Sequence, residues 1–227
     1  LADTTGYFLD EGTDDSEEIG YSFLLMKYIE PGDIKDEFWN VFAEKLASMH
    51  KADTSSLVKN GKFGFLQDNF IGRTKQINDA RDSWVEFFRD NRLVPQFKMA
   101  EKYFEKDDFS KMDKLLNKLD KILVEPEKPS LLHGDLWGGN VLCDTKSLPL
   151  LIDPACYVGH PEADIAMTEL FGGFSGKFYD AYKNLGLLQS GYSERRDLYN
   201  LYHILNHLNM FGKTYLSAAR SIIDSYL

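Results

Sequence analysis

Leu131-Leu132-His133-Gly134-Asp135-Leu136-Trp137-Gly138-Gly139-Asn140-Val141-Leu142-Cys143, followed by Leu150-Leu151-Ile152-Asp153-Pro154, is the stretch that decides how this chain reads. Short apolar runs flank a polar loop, which predicts strand, loop, strand. The loop carries an Asp and, five residues later, an Asn; the next apolar run ends in a second Asp. Three glycines (Gly134, Gly138 and Gly139) let a tight loop turn both polar side chains toward one point, because glycine has no steric bar to positive φ.

Such a trio suits phosphoryl transfer from ATP. One Asp orients an attacking hydroxyl and accepts its proton, while an Asn and a later Asp offer hard oxygen ligands to the magnesium ions that bridge the phosphates. Here those roles fall to Asp135 as base and to Asn140 and Asp153 as metal ligands. Taken singly, Asp135 and Asn140 read equally well as turn formers and Asp153 as a helix cap. The combination is what is specific.

The surrounding residues carry a family resemblance. His133-Gly134-Asp135-Leu136-Trp137-Gly138-Gly139-Asn140, Ile152-Asp153-Pro154-Ala155, Gly159-His160-Pro161-Glu162-Ala163-Asp164 and Leu170-Phe171-Gly172-Gly173-Phe174 resemble the fructosamine (ketosamine) 3-kinases. That family lies within the protein-kinase-like superfamily, beside the aminoglycoside and choline kinases. Phe63-Gly64-Phe65, Trp84-Val85-Glu86-Phe87-Phe88 and Leu205-Asn206-His207 extend the likeness over nearly the whole chain.

The resemblance implies an α+β, protein-kinase-like fold: a remnant of a nucleotide-binding β lobe and hinge strand over residues 1–29, then a mainly helical lobe over 30–227 holding the loop 133–140 and Asp153. It implies ATP and Mg2+ as cofactors, with the adenine held by the backbone of Met26, Lys27, Tyr28 and Ile29. The acceptor would be the 3-hydroxyl of a ketosamine, as a small molecule or on a glycated protein lysine, in protein deglycation. Trp137 would face the sugar, although it reads equally well as a loop-packing residue, and His133 would be a substrate contact beside it. Asp164 would hydrogen-bond the backbone of the catalytic loop, although simple helix-end electrostatics also accounts for an acid there. Two rival readings stay open. One keeps the chemistry and changes the acceptor to an aminoglycoside, choline or homoserine-like hydroxyl; the other is an inactive kinase-like binding protein.

Composition narrows the classes. With 227 residues and 43% apolar content the chain can bury a sizeable core. A net charge of −10 would repel nucleic acid or an anionic membrane surface, so neither is an expected partner. Cys143 and Cys156 read as reduced packing residues of a cytoplasmic protein. No apolar run reaches about 18 residues, so no membrane span is expected.

Taken in order, the chain opens on Leu1, and neither a Gly-rich phosphate loop nor a strand Lys precedes Tyr21. The expectation is therefore a sequence that begins inside a longer protein. Tyr21 to Ile29 reads as a buried strand closed by Glu30-Pro31-Gly32. Phe38, Val41, Phe42, Leu46 and Met49 predict a helix over 34–50, capped by Asp33 and ending in a packed His50. Residues 53–79 read as loop, with Phe63, Phe65 and Phe70 packed on the large lobe or walling a substrate pocket. Helices are expected over 80–91, 96–104 and 109–124, with a solvated lysine face (Lys111, Lys114, Lys118, Lys121) on the last. Pro161 suits a helix first turn, and no activation loop fits between Asp153 and that helix. The segment 173–227 reads as helical with breaks at Gly186, Gly191 and Gly212, and His203 and His207 read as core or pocket residues rather than a metal pair.

Overall fold

An apolar stripe needs a partner surface, and the two longest stripes of this sequence set the architecture. A computed structural model describes residues 27–227. Helix α1 (Phe38–His50) turns Phe38, Phe42, Leu46 and His50 inward against α7 (Gly176–Asn184). Phe42 and Phe178 meet there with ring centroids 5.2 Å apart, and Phe174 packs on both. Helix α8 (Tyr192–Phe211) buries Leu198, Leu201, Leu205 and Leu208 and forms the spine of the other half. Against it pack α3 (Val94–Ala100), α6 (Glu162–Leu170) and α9 (Leu216–Ser225).

The described residues therefore hold two apolar clusters, one built on α1 and α7 and one on α8 with the aromatic segment around Trp84. Between them run three two-stranded antiparallel sheets. The first is β1 (Asn69–Ile71) with β2 (Thr74–Gln76). The second pairs β3 (Ser130–Leu132) with β6 (Tyr157–Gly159), and the third pairs β4 (Val141–Cys143) with β5 (Pro149–Leu151).

Several expectations are corrected here. The first helix starts at Phe38, not 34, and Asp33 does not cap it. Residues 31–35 are instead tied to the β4–β5 hairpin: Gly32 N donates to Cys143 O at 2.9 Å, and Lys35 N to Ser147 Oγ at 2.9 Å. Residues read as loop contain the β1–β2 hairpin. The expected 80–91 helix is a short α2 (Trp84–Phe87), capped by Ser83, that widens into a π turn over Phe88–Leu93. That turn ends two residues before Pro95, which has no N–H to give a helical carbonyl. The third predicted helix is two, α4 (Lys106–Leu116) and α5 (Leu119–Ile122). The strand predicted over 21–29 falls mostly outside the described residues; Lys27, Tyr28 and Ile29 are not in a strand, and Tyr28 is exposed. The glycine breaks at 186, 191 and 212 separate α7, α8 and α9, each glycine at positive φ.

Candidate active site

The loop after β3 is shaped by one buried carboxylate. Asp164, on the first turn of α6, accepts from His133 N at 2.7 Å (Oδ2) and from Gly134 N at 2.9 Å (Oδ1). His50 at the end of α1 donates Nε2–H to Asp164 at 3.1 Å and accepts at Nδ1 from the Tyr182 hydroxyl of α7, 2.6 Å away. Burial alone would raise the Asp164 carboxyl, but the bonds from His50, the nearby imidazoles and the Gly134 N–H together hold it below the usual carboxylate value. It is thus an ionised anchor for two backbone amides. His50 does more than pack: its ring fixes the orientation of that anchor.

Gly134 is the position where glycine is compulsory. Its φ is +81°, and a Cβ there would lie 2.1 Å from Ala155 O. The close crossing is sealed by Ala155 N donating to His133 O at 2.8 Å. His133 itself is buried, with Nε2 on Ile152 O (2.9 Å) and Nδ1 accepting from Asp135 N (3.3 Å). Both ring nitrogens are taken up by backbone on either side of the loop. His133 thus braces the loop from behind, and it is not among the residues of the cavity described next.

A cavity of about 390 Å³ collects Phe70, Gly72, Asp135, Trp137, Asn140, Asp153, Pro154 and Ala155. Asn140 is buried and donates Nδ2 to Asp135 O at 2.8 Å and to Asp135 Oδ2 at 3.3 Å. Among the described residues no donor reaches its Oδ1. Ile152 N donates to Asn140 O at 3.1 Å, which delivers the following Asp153 to the same wall. Asp153 is exposed and sits at φ +49°, a conformation costly for a residue with a Cβ and frequent at functional sites. The Asn140 amide oxygen and the Asp153 carboxylate are hard oxygen donors of the kind Mg2+ takes. Among the described residues, no group of three or more His, Cys, Asp or Glu is placed to hold a metal ion.

Asp135 is half-buried, and that burial pushes its carboxyl up, opposed by the positive potential of His133 and His207 and by the Asn140 bond. A carboxylate so raised is a better proton acceptor. Trp137 is 40% exposed at the cavity edge, its indole lying over Gly139, where a Cβ would meet the ring at 2.4 Å.

Sequence patterns alone miss Gly72, which the β1–β2 hairpin brings to the cavity together with Phe70. Ile71-Gly72-Arg73-Thr74, a two-residue glycine turn between apolar and β-branched residues, was the available signal. Phe63, by contrast, is in the core. A larger cavity of about 590 Å³ lies between α1, β3 and the β4–β5 hairpin. Cys156 on its wall has a thiol pushed up to about 11 by burial.

The loop framed by an α6 Asp, with Asp135, Asn140 and Asp153 around one cavity, sits in a protein-kinase-like fold. A solved structure of an aminoglycoside phosphotransferase, APH(4)-Ia, shares that fold at a TM-score of 0.51 and 16% identity, over 88% of this chain and 71% of that one. The fructosamine kinase family model matches residues 11–227, and the chain belongs to that family. A protein-ribulosamine 3-kinase, chloroplastic, of Arabidopsis thaliana is 43% identical over 92% of this chain and 63% of its own length. The corresponding protein of Oryza sativa subsp. japonica is 41% identical, over 92% and 60%. This chain therefore spans about three fifths of these curated relatives. A crystal structure of a candidate fructosamine-3-kinase from Thermobifida fusca superposes with a TM-score of 0.80 at 32% identity, covering 89% of this chain and 69% of that one.

Proposed function

We propose that this chain carries the catalytic loop of an ATP-dependent kinase that phosphorylates the 3-hydroxyl of ketosamines, and that the product serves removal of sugars from glycated amines. The observation that carries this reading is the convergence of Asp135, Asn140 and Asp153 on one cavity beside Trp137. Asp135 takes the proton of the sugar hydroxyl as that oxygen attacks the γ-phosphorus of ATP, and ADP departs with the bridging oxygen. Asn140 Oδ1 and the Asp153 carboxylate are the groups that would hold Mg2+, which when bound neutralises charge on the phosphates. Trp137 offers a flat face to the C–H surface of the sugar. Asp164, through His133 N and Gly134 N, keeps Asp135 aimed.

Residues 30–227 would be the helical lobe and the preceding residues part of the nucleotide lobe and hinge. Gly32 N donates to Cys143 O of β4, in keeping with a hinge near Lys27 to Glu30. We keep the cytoplasm as the proposed compartment; among the described residues no helix is long and apolar enough to cross a membrane.

The test is magnesium-dependent ATP consumption by the intact protein, offered a fructosylated or ribulosylated amine beside an aminoglycoside and choline. Turnover confined to the ketosamines is expected. Turnover of another acceptor alone would move the substrate, and nucleotide binding with no turnover of any acceptor would leave a binding protein.

A further inference from the structure

Where α2, α6 and α8 meet, three buried polar atoms have no hydrogen-bond partner among the described residues: Trp84 Nε1, His160 Nε2 and the Tyr199 hydroxyl. Their rings form a triangle with centroids 5.9 to 6.1 Å apart, and each residue is at most 1% exposed. A buried polar atom left unpaired costs about 1–3 kcal/mol, so three in one place call for a shared partner. A fourth group completes the ring. Glu162, fully buried on the first turn of α6, accepts at Oε1 from Gln189 N (3.1 Å) and Arg195 Nη2 (2.7 Å), and at Oε2 from Arg195 Nε (2.8 Å). A carboxylate oxygen has two lone-pair sites, so Oε2 keeps one open. It lies 3.9 Å from His160 Nε2, too far for a direct bond and within the span of one bridging water. His160 Nδ1 accepts from Glu162 N at 3.2 Å, which puts the proton of the neutral ring on Nε2. Burial pushes the Tyr199 hydroxyl up, the Glu162 charge adds to the rise and the Trp84 N–H opposes it, so the hydroxyl stands beside both.

We propose that these four groups form a binding site for one buried water molecule, and that this water helps to position the catalytic loop. The water accepts from Trp84 Nε1–H and His160 Nε2–H and donates to Glu162 Oε2 and the Tyr199 oxygen. Water suits the site because it both donates and accepts: a cation would face two N–H donors, and an anion would face a carboxylate. The site ties α2 and α8 to the first turn of α6. Asp164 sits on that turn, two residues past Glu162, and its carboxylate holds His133 N and Gly134 N. Trp84, His160 and Tyr199 are thereby positioning residues that act on Asp135 through Asp164. The effect on turnover rests on the ketosamine kinase reading above, whereas the water site does not.

The experiment is water–protein cross-relaxation by NMR on the intact protein, read at the Trp84 indole N–H. A cross-peak to water with NOE and ROE of opposite sign, the signature of a water held longer than the molecule tumbles, is expected. No cross-peak, or one of equal sign in both from plain proton exchange, would overturn the site. Tyr199→Phe keeps the ring and removes the hydroxyl. It should lower kcat about 3- to 10-fold at unchanged KM for ATP, the worth of one net hydrogen bond, and quicken amide exchange at His133 and Gly134 by about the same factor. Tyr226→Phe removes another hydroxyl bonded to α8, at Leu198 N, and should leave both readouts unchanged. Unchanged exchange at His133 and Gly134 in Tyr199→Phe, or an equal change in Tyr226→Phe, would overturn the positioning role. No turnover of any ketosamine by the wild type would instead remove the kinase reading, and the cross-peak and the exchange rates would still decide the water site.

Discussion

Asp135 is the residue at which burial and chemistry meet. Its carboxyl is raised because it is half-buried, yet Asn140 donates to it and so favours the ionised form. Asp135→Asn keeps the shape and the Asn140 contact on the backbone oxygen but removes the base. A fall in kcat of about 10² to 10⁴-fold is expected, with nucleotide affinity by calorimetry within a factor of about three. Full activity of that variant in the intact protein would end Asp135's candidacy. The raised carboxyl also sets a pH prediction. The base must be ionised to act, so a raised pKa moves the acid loss of kcat/KM to higher pH than an ordinary Asp would give. A pH–rate profile whose acid limb sits at or below the ordinary carboxylate value would contradict it. His133 teaches a different lesson at this scale. Both of its nitrogens bond backbone, which only the crossing of residues 152–155 behind the loop reveals.

The element that sequence periodicity overlooked, the β1–β2 hairpin, is held by polar contacts rather than by an apolar stripe. Gln76 donates to Asn69 Oδ1 and Ala155 O, Asn69 donates to Cys156 O, and the Tyr202 hydroxyl of α8 donates to Gln76 Oε1. Beneath them Arg92 is fully buried, stacked 4.0 Å over the Tyr157 ring and 4.6 Å over Phe87. It donates to Ile77 O at 2.6 Å and Asn78 Oδ1 at 2.8 Å. Arg92→Leu strips these acceptors of their donor and leaves a poorly filled site. Unfolding in urea should register a loss of about 2–4 kcal/mol, with faster amide exchange across 69–76. Unchanged stability and exchange would mean that the hairpin is held from elsewhere. By contrast, α1, α4 and α8 are legible because each carries an apolar face at helical spacing. Their ends shift where a tertiary contact intervenes, as when Ser147 and Cys143 claim residues 32–35.

At the scale of the molecule, the two apolar clusters are joined by buried polar groups, and these tie stability to pH. His160 is lowered to about 3 by burial and then by Arg195, and His203 to about 3 by burial and then by His207. Glu162 lies 3.9 Å from His160 Nε2 but is bound bidentately by Arg195, and His160 Nδ1 accepts from Glu162 N, so the ring stays neutral. Unfolded histidines protonate near 6.5, so stability is complete above that pH and is lost as pH falls toward 3. Each ring adds a slope of up to about 1.4 kcal/mol per pH unit in that window. Denaturation midpoints at about pH 7.5 and about pH 5 should differ accordingly, and the double variant His160→Gln, His203→Gln should flatten the difference. A flat wild-type profile would mean that these rings already carry charge in the fold.

The sequence by itself carried the candidate residues and the family resemblance that implied the fold: an Asp, an Asn and a second Asp in a glycine-bearing loop between apolar runs, with helical stripes on either side. It could do so because residue type and short spacing are local properties. Only the tertiary structure decided which backbone Asp164 holds, that His50 and Tyr182 stand behind it, that His133 faces inward, and that Phe70 and Gly72 line the cavity. The bonds of Asp164 to the loop backbone and of His50 to Asp164 and Tyr182 join residues 30 to 132 positions apart, and no local pattern specifies which distant donor a buried acceptor will meet.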